Sequence, residues 1–178
     1  MRENNQNPQS IAATLYLQDN FFEVQQRPCP VNEVTLSQYV QRWLESLSET
    51  LEPASEYELS LRLTGDAEIQ SLNAEYRHQD QPTDVLAFAE LDVDFPDFAK
   101  FHPDESIYLG DIVISIETAQ RQAEQQQHSL TVELLWLLAH GLLHLLGWDH
   151  PTEARLQEML TQQQQFIDLV GVSHRYCK

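Results

Sequence analysis

The run Leu134–Leu146 constrains this chain more than any other stretch. It is the most apolar segment of the sequence, yet it carries two histidines, His140 and His144. It is too short for the ~20 residues that a membrane-spanning helix needs, so it predicts a helix buried in a soluble core. Positions four apart on a helix lie about 6 Å along the axis and ~40° round it, on one face. Both imidazoles therefore point the same way. Gly147 can end the helix in left-handed backbone, which other residues resist. The chain can then turn and bring His150 back toward the pair, which completes the window HGLLHLLGWDH.

Three imidazoles brought together in this way can bind one metal ion. Neutral imidazole is the commonest zinc ligand. Three protein ligands with an open fourth position characterise a catalytic zinc site, because structural sites are closed by four. Core histidines with ordinary hydrogen-bond partners are the plain alternative. A lone His on this helix would favour that alternative, whereas the triplet with its Gly favours metal. The register also matches the metzincin protease pattern H-E-x-x-H-x-x-G-x-x-H, except that Gly141 stands at the Glu position. That Glu takes a proton from metal-activated water. Protease chemistry therefore lacks its base here, and any acid or base must come from elsewhere or from the substrate.

The chain has 178 residues, 42% of them hydrophobic, enough for one domain with a real core. The 28 acidic and 10 basic residues give a net charge of -18, which repels nucleic acid at long range. An RNA-binding role then needs a local basic or metal-bearing patch. Cys29 and Cys177 form no metal-spacing pair and no disulfide framework, which points to a reducing compartment. The polar N-terminus has no signal-peptide core. A cytoplasmic protein without a membrane segment is expected. The Gln125–Gln127 and Gln162–Gln165 patches read as solvated helix faces.

Periodicity divides the chain into strands at Ile11–Gln18, Tyr57–Leu63, Val85–Leu91 and Tyr108–Ile116. Helices are predicted over Leu36–Leu51, from Asp66 as N-cap through Tyr76, over about 117–127, from Ser129, and from Thr152 to about Val170. Residues 1–10 read as a disordered tail and Asp92–Ser106 as an acidic surface excursion. Residues 11–178 read as a single metal-dependent hydrolase domain of α+β class, with about four strands and five or six helices.

Arg77 lies where a helix gives way to the polar loop RHQDQPT. A guanidinium matches phosphate oxygens with paired hydrogen bonds, although a cation at a helix C-terminus also satisfies the helix dipole. Asp84 can orient a ligand or brace the loop. Asp111 can face the metal or form the polar side of its strand. Asp149 can orient an imidazole or face water. Trp148 reads as packing. His78, His102, His128 and His174 lack ligand spacing and are expected at the surface.

The blocks LNAEYRHQDQPTDVLAF, YLGDIVIS and HGLLHLLGWDH, in that order, closely resemble the YbeY family of metal-dependent endoribonucleases. They lie within residues 72–150. The family pattern H-G-x-L-H-L-x-G-x-D-H is met at His140, Gly141, Leu143, His144, Leu145, Gly147, Asp149 and His150. The resemblance implies a small mixed sheet packed against several helices. It implies one Zn2+ per chain held by His140, His144 and His150, with Arg77 as the functional arginine of an RNA-facing groove; His140 and Arg77 are the expected catalytic residues, and the residue-by-residue reading leaves Asp84, Asp111 and Asp149 as candidates around the metal or in the groove. It implies action on ribosomal RNA, at the 3′ end of the small-subunit RNA, and in ribosome quality control. The small ribosomal subunit is then a partner. The chain differs from the family pattern in its N-terminal tail, in a longer 92–106 segment, and in Gln127-His128-Ser129 where Gly-His-Ser is common. Two rival readings stand: a metal-dependent hydrolase of another substrate, and a zinc-stabilised ribosome assembly factor with little nuclease activity.

Overall fold

A computed structural model describes residues 11–90 and 104–172. In chain order the elements are β1 (Ala13–Asp19), α1 (Glu33–Ser46), β2 (Glu56–Thr64), α2 (Asp66–Arg77), β3 (Val85–Ala89), β4 (Ser106–Ser115), α3 (Ile116–Gln126), α4 (Leu130–Leu145) and α5 (Glu153–Leu169). The strands form one sheet in the order β1-β2-β4-β3. The β1/β2 and β2/β4 pairs are parallel, and β3 runs antiparallel along β4. The α+β architecture with a small mixed sheet is thus the one adopted. The expected tail at residues 1–10 falls outside the described residues, as do His102, His174, Cys177 and positions 92–103 of the acidic segment.

The alternation in β2 sends Tyr57, Leu59, Leu61 and Leu63 into the main core. β4 departs from simple alternation. Ile112 and Ile114 face the main core, while Val113 packs with Ile69 of α2 and Leu86 of β3 in a second cluster. Successive strand residues point to opposite faces, so α2 covers the other side of the sheet here. Val113 and Ser115 are therefore buried, although they alternate in step with exposed Asp111.

The apolar run becomes α4, packed by β3 and β4 of the sheet and flanked by α3 and α5. Its burial is nearly continuous from Glu133 to Leu143 and is broken at His140. α5 is tied to α1 where Trp43 stacks on Phe166, with ring centroids 5.3 Å apart. The Trp43 indole N–H also donates to the Phe166 carbonyl at 2.6 Å.

Helix starts follow side-chain caps. Ser129 and Thr152 accept from Val132 N and Arg155 N, as their positions predict. α1 starts three residues before the expected Leu36 because Asn32 accepts from Thr35 N at 2.9 Å. Asp66 is not a cap: Gly65 occupies that position. The Asp66 carboxylate instead accepts from Ser115 Oγ at 2.5 Å and Thr118 Oγ1 at 2.7 Å, and pairs with Arg121 at 2.8 Å. His128, expected at the surface, has a side chain only 2% exposed and lies 3.0 Å from Glu133 Oε2.

Gly110 explains YLGDIVIS. Glu58 pairs with Tyr108 but Leu59 pairs with Gly110, so Leu109 is an extra residue bulged into β4. Gly110 has φ +133, and a Cβ there would lie 2.1 Å from the Phe88 carbonyl oxygen. Only glycine fits that backbone and that approach of β3.

Candidate metal centre

α4 supplies His140 and His144 one turn apart, and the following turn returns His150. The turn closes with two hydrogen bonds of the Schellman type: Gly147 N to His144 O at 3.0 Å and Trp148 N to Leu143 O at 2.9 Å. Gly147 takes φ +82, as the sequence predicts. Trp148 packs against the main core and anchors the returning strand of chain. Asp149 Oδ1 accepts from the His150 main-chain N at 2.8 Å, so Asp149 braces the loop through its backbone.

The three histidines bring ligand nitrogens within 4.8 Å of one another. His140 Nε2 and His144 Nε2 are 3.1 Å apart. Two ligands at about 2.0–2.1 Å from a tetrahedral zinc stand roughly 3.3 Å apart, so the pair is already spaced for such an ion. Burial depresses the His140 pKa from 6.5 to about 4, with its histidine neighbours adding to the effect and a hydrogen bond to Gln163 opposing it. Burial and His150 lower His144 as well, partly offset by the Trp148 backbone and the Asp149 charge. Both rings therefore offer lone pairs at neutral pH, and binding a cation does not have to displace protons from them. An all-nitrogen set of three suits a borderline ion such as zinc better than calcium or magnesium, which prefer oxygen.

Gly141 does more than omit a base. A Cβ built there meets Ile112 Cγ2 at 2.8 Å, Cδ1 at 3.0 Å and Cγ1 at 3.1 Å. The ligand helix is pressed against β4 at this residue, and no carboxylate could occupy the position.

Arg77 shares a cleft of about 670 Å³ with His140, His144, His150, Asp84 and Asp149. It is the last residue of α2 and is exposed, with Nη2 donating to the Ala87 carbonyl at 3.2 Å. The loop beyond it is fixed from inside. Buried Asn73 donates to the Gln81 carbonyl at 2.8 Å, and its own carbonyl accepts from Gln79 N at 3.2 Å. His78 caps the helix in left-handed backbone, φ 58.

Asp84 lines the cleft as a brace. Oδ1 accepts from Val85 N at 2.8 Å, and Oδ2 accepts from Gln122 Nε2 at 2.9 Å. Asp111 does not face the centre. It is exposed on the opposite side of the sheet, where it lines a cavity with Tyr76, Phe88 and Arg62 and accepts from Tyr108 OH at 3.0 Å.

Gln163 was hidden by its neighbourhood. The Gln162–Gln165 patch reads as a solvated face, but Gln163 is 0% exposed. Its Oε1 lies 3.1 Å from His140 Nδ1, and its Nε2 donates to Trp136 O at 3.2 Å. The signal was its register: Met159, Gln163, Phe166 and Ile167 form the buried stripe of α5.

Fold and centre together define a single-domain α+β protein whose central helix presents three histidines that could hold one metal ion, in a cleft that Arg77 also lines. Residues 21–171 match the family model described as endoribonuclease YbeY. The chain is 58% identical over 142 residues to an endoribonuclease YbeY of Trichormus variabilis, covering 80% of each chain. It is 62% identical over 125 residues to that of Picosynechococcus sp., covering 70% of this chain and 76% of the relative. A solution structure from Thermotoga maritima shares the fold, with TM-score 0.54, 23% identity, and 88% and 89% of the two chains covered. The chain belongs to the endoribonuclease YbeY family. Among the described residues, no helix is long and apolar enough to cross a membrane.

Proposed function

We propose that this protein is a zinc-dependent, single-strand-specific endoribonuclease that matures ribosomal RNA in the cytoplasm, at the 3′ end of the small-subunit RNA. The observation that carries the reading is the common cleft: three histidines and the Arg77 guanidinium line the same space. His140, His144 and His150 would hold the ion, which when bound supplies Lewis-acid stabilisation of charge on a phosphoryl oxygen.

Arg77 supplies the complementary work. Its Ala87 tether holds the guanidinium at the cleft wall, where its remaining N–H groups can grip a non-bridging phosphate oxygen as charge builds. No chain carboxylate stands at position 141 to take a proton. The attacking group is then a water or the adjacent RNA 2′-hydroxyl. Attack by the 2′-hydroxyl leaves a 2′,3′-cyclic phosphate and spares DNA, so product-end analysis distinguishes the two. The small ribosomal subunit is the proposed partner, and a net charge of -18 makes the local cleft, not the global field, the source of RNA affinity.

The test is metal analysis followed by single-stranded ribosomal-RNA cleavage. Near-stoichiometric zinc is expected in the wild type and a loss of it in His140→Ala. Arg77→Ala should keep the metal and lose about 100- to 1000-fold in cleavage rate. Undiminished cleavage by folded Arg77→Ala would remove the arginine from the mechanism. Unaltered ribosome maturation in cells carrying either variant would favour an assembly factor over a nuclease.

A further inference from the structure

Gln163 is the polar member of an otherwise apolar stripe, and a buried amide is costly unless both ends are bonded. Here both are. The Trp136 carbonyl, one turn before His140 on α4, lies 3.2 Å from Gln163 Nε2. A carbonyl can only accept, so the amide NH2 must be the end that faces it. The amide oxygen is thereby directed at His140 Nδ1, 3.1 Å away. That oxygen also can only accept, so His140 Nδ1 must carry the proton. A neutral imidazole has one N–H, and Nε2 is left bare. The bare nitrogen is the one that stands 3.1 Å from His144 Nε2.

We infer that Gln163 is a positioning residue for the metal centre, fixing His140 in the Nδ1–H tautomer and holding its ring plane so that Nε2 points at the ion. The direction of the amide is set by the helix backbone at Trp136, not by the ring itself. The same carbonyl thus anchors, through α5, the side chain projecting one turn later. Outer partners of metal-bound imidazoles serve this purpose generally, and their loss typically weakens metal binding 10- to 100-fold. This inference rests on the metal reading of the histidine group proposed above.

Two measurements test it. Long-range 1H–15N correlation spectra of metal-free wild type should show His140 protonated at Nδ1 and bare at Nε2. Competition titrations should then give zinc dissociation constants for wild type, Gln163→Met and Gln163→Glu. Methionine keeps the length and removes the acceptor, while glutamate keeps an acceptor oxygen for Nδ1 and, as the neutral acid that burial favours, an O–H that can donate to the Trp136 carbonyl. Zinc binding should weaken 10- to 100-fold in Gln163→Met and stay within about threefold of wild type in Gln163→Glu. A role in packing alone would weaken both alike, and that result overturns the inference. So does an Nε2–H tautomer, or a mixture, in the wild type. If Gln163→Met does not fold, the wild-type tautomer and the affinity of Gln163→Glu still decide, because a tenfold loss in folded Gln163→Glu contradicts the acceptor role. A wild type that binds no zinc but shows the Nδ1–H tautomer refutes the metal reading and leaves the orienting bond standing.

Discussion

Gly141→Ala should weaken this protein, although the same change in most helix interiors strengthens it. Alanine gains about 0.8–1.0 kcal/mol over glycine in helix propensity. Opposing that, the new methyl would sit 2.8–3.1 Å from three carbons of Ile112, whereas carbons at rest stand about 3.5–4.0 Å apart. Ile112 is 0% exposed and β-branched, so it has little room to yield. Overpacking of this kind costs roughly 1–3 kcal/mol. The net expectation is a loss of about 1 kcal/mol, which for a chain of this size is a fall of ~2–4 °C in Tm. Calorimetry or thermal circular dichroism reads this directly. Ile112→Ala removes all three contacted atoms. In that background Gly141→Ala should reverse sign and stabilise by about 1 kcal/mol, since only propensity remains. If Gly141→Ala raises Tm equally in both backgrounds, the close approach of α4 to β4 is not what keeps glycine there. The same crowding predicts that Gly141→Glu yields no protease, only a displaced ligand helix.

The unfolded chain protonates His140 near its ordinary 6.5, but the fold holds it neutral down to about 4. The metal-free protein should thus keep full stability above pH 6.5 and lose ~3 kcal/mol as pH falls to 4, with His144 adding in the same direction. Urea midpoints across that range check it, and a flat profile that His140→Gln does not change would contradict it. Gln127 occupies left-handed backbone at φ 59 as the C-cap of α3 and is exposed. Gln127→Gly should stabilise by roughly 0.5–1 kcal/mol, read as a higher Tm. An unchanged or lower Tm would show that the Gln127 side chain has a role of its own.

The sequence by itself determined the features that depend on local spacing. The strand alternation of β2, the caps Ser129 and Thr152, and the Gly147 turn all rest on patterns within a few residues, and the order of such segments suggests the fold class. So does the histidine window, because a four-residue step on a helix fixes geometry without help from the rest of the chain. Tertiary structure decided whatever depends on what lies opposite. Asp111 and Ile112 are neighbours in sequence, but the sheet puts one on the far face and the other against the ligand helix. His128 and Gln163 look polar and solvated in sequence, and packing buries both, one beside Glu133 and the other beneath His140. Gly141 reads from sequence as a missing base. The 2.8 Å approach of Ile112 shows that it is a missing space, because that contact joins α4 to β4 between residues 29 positions apart in the chain.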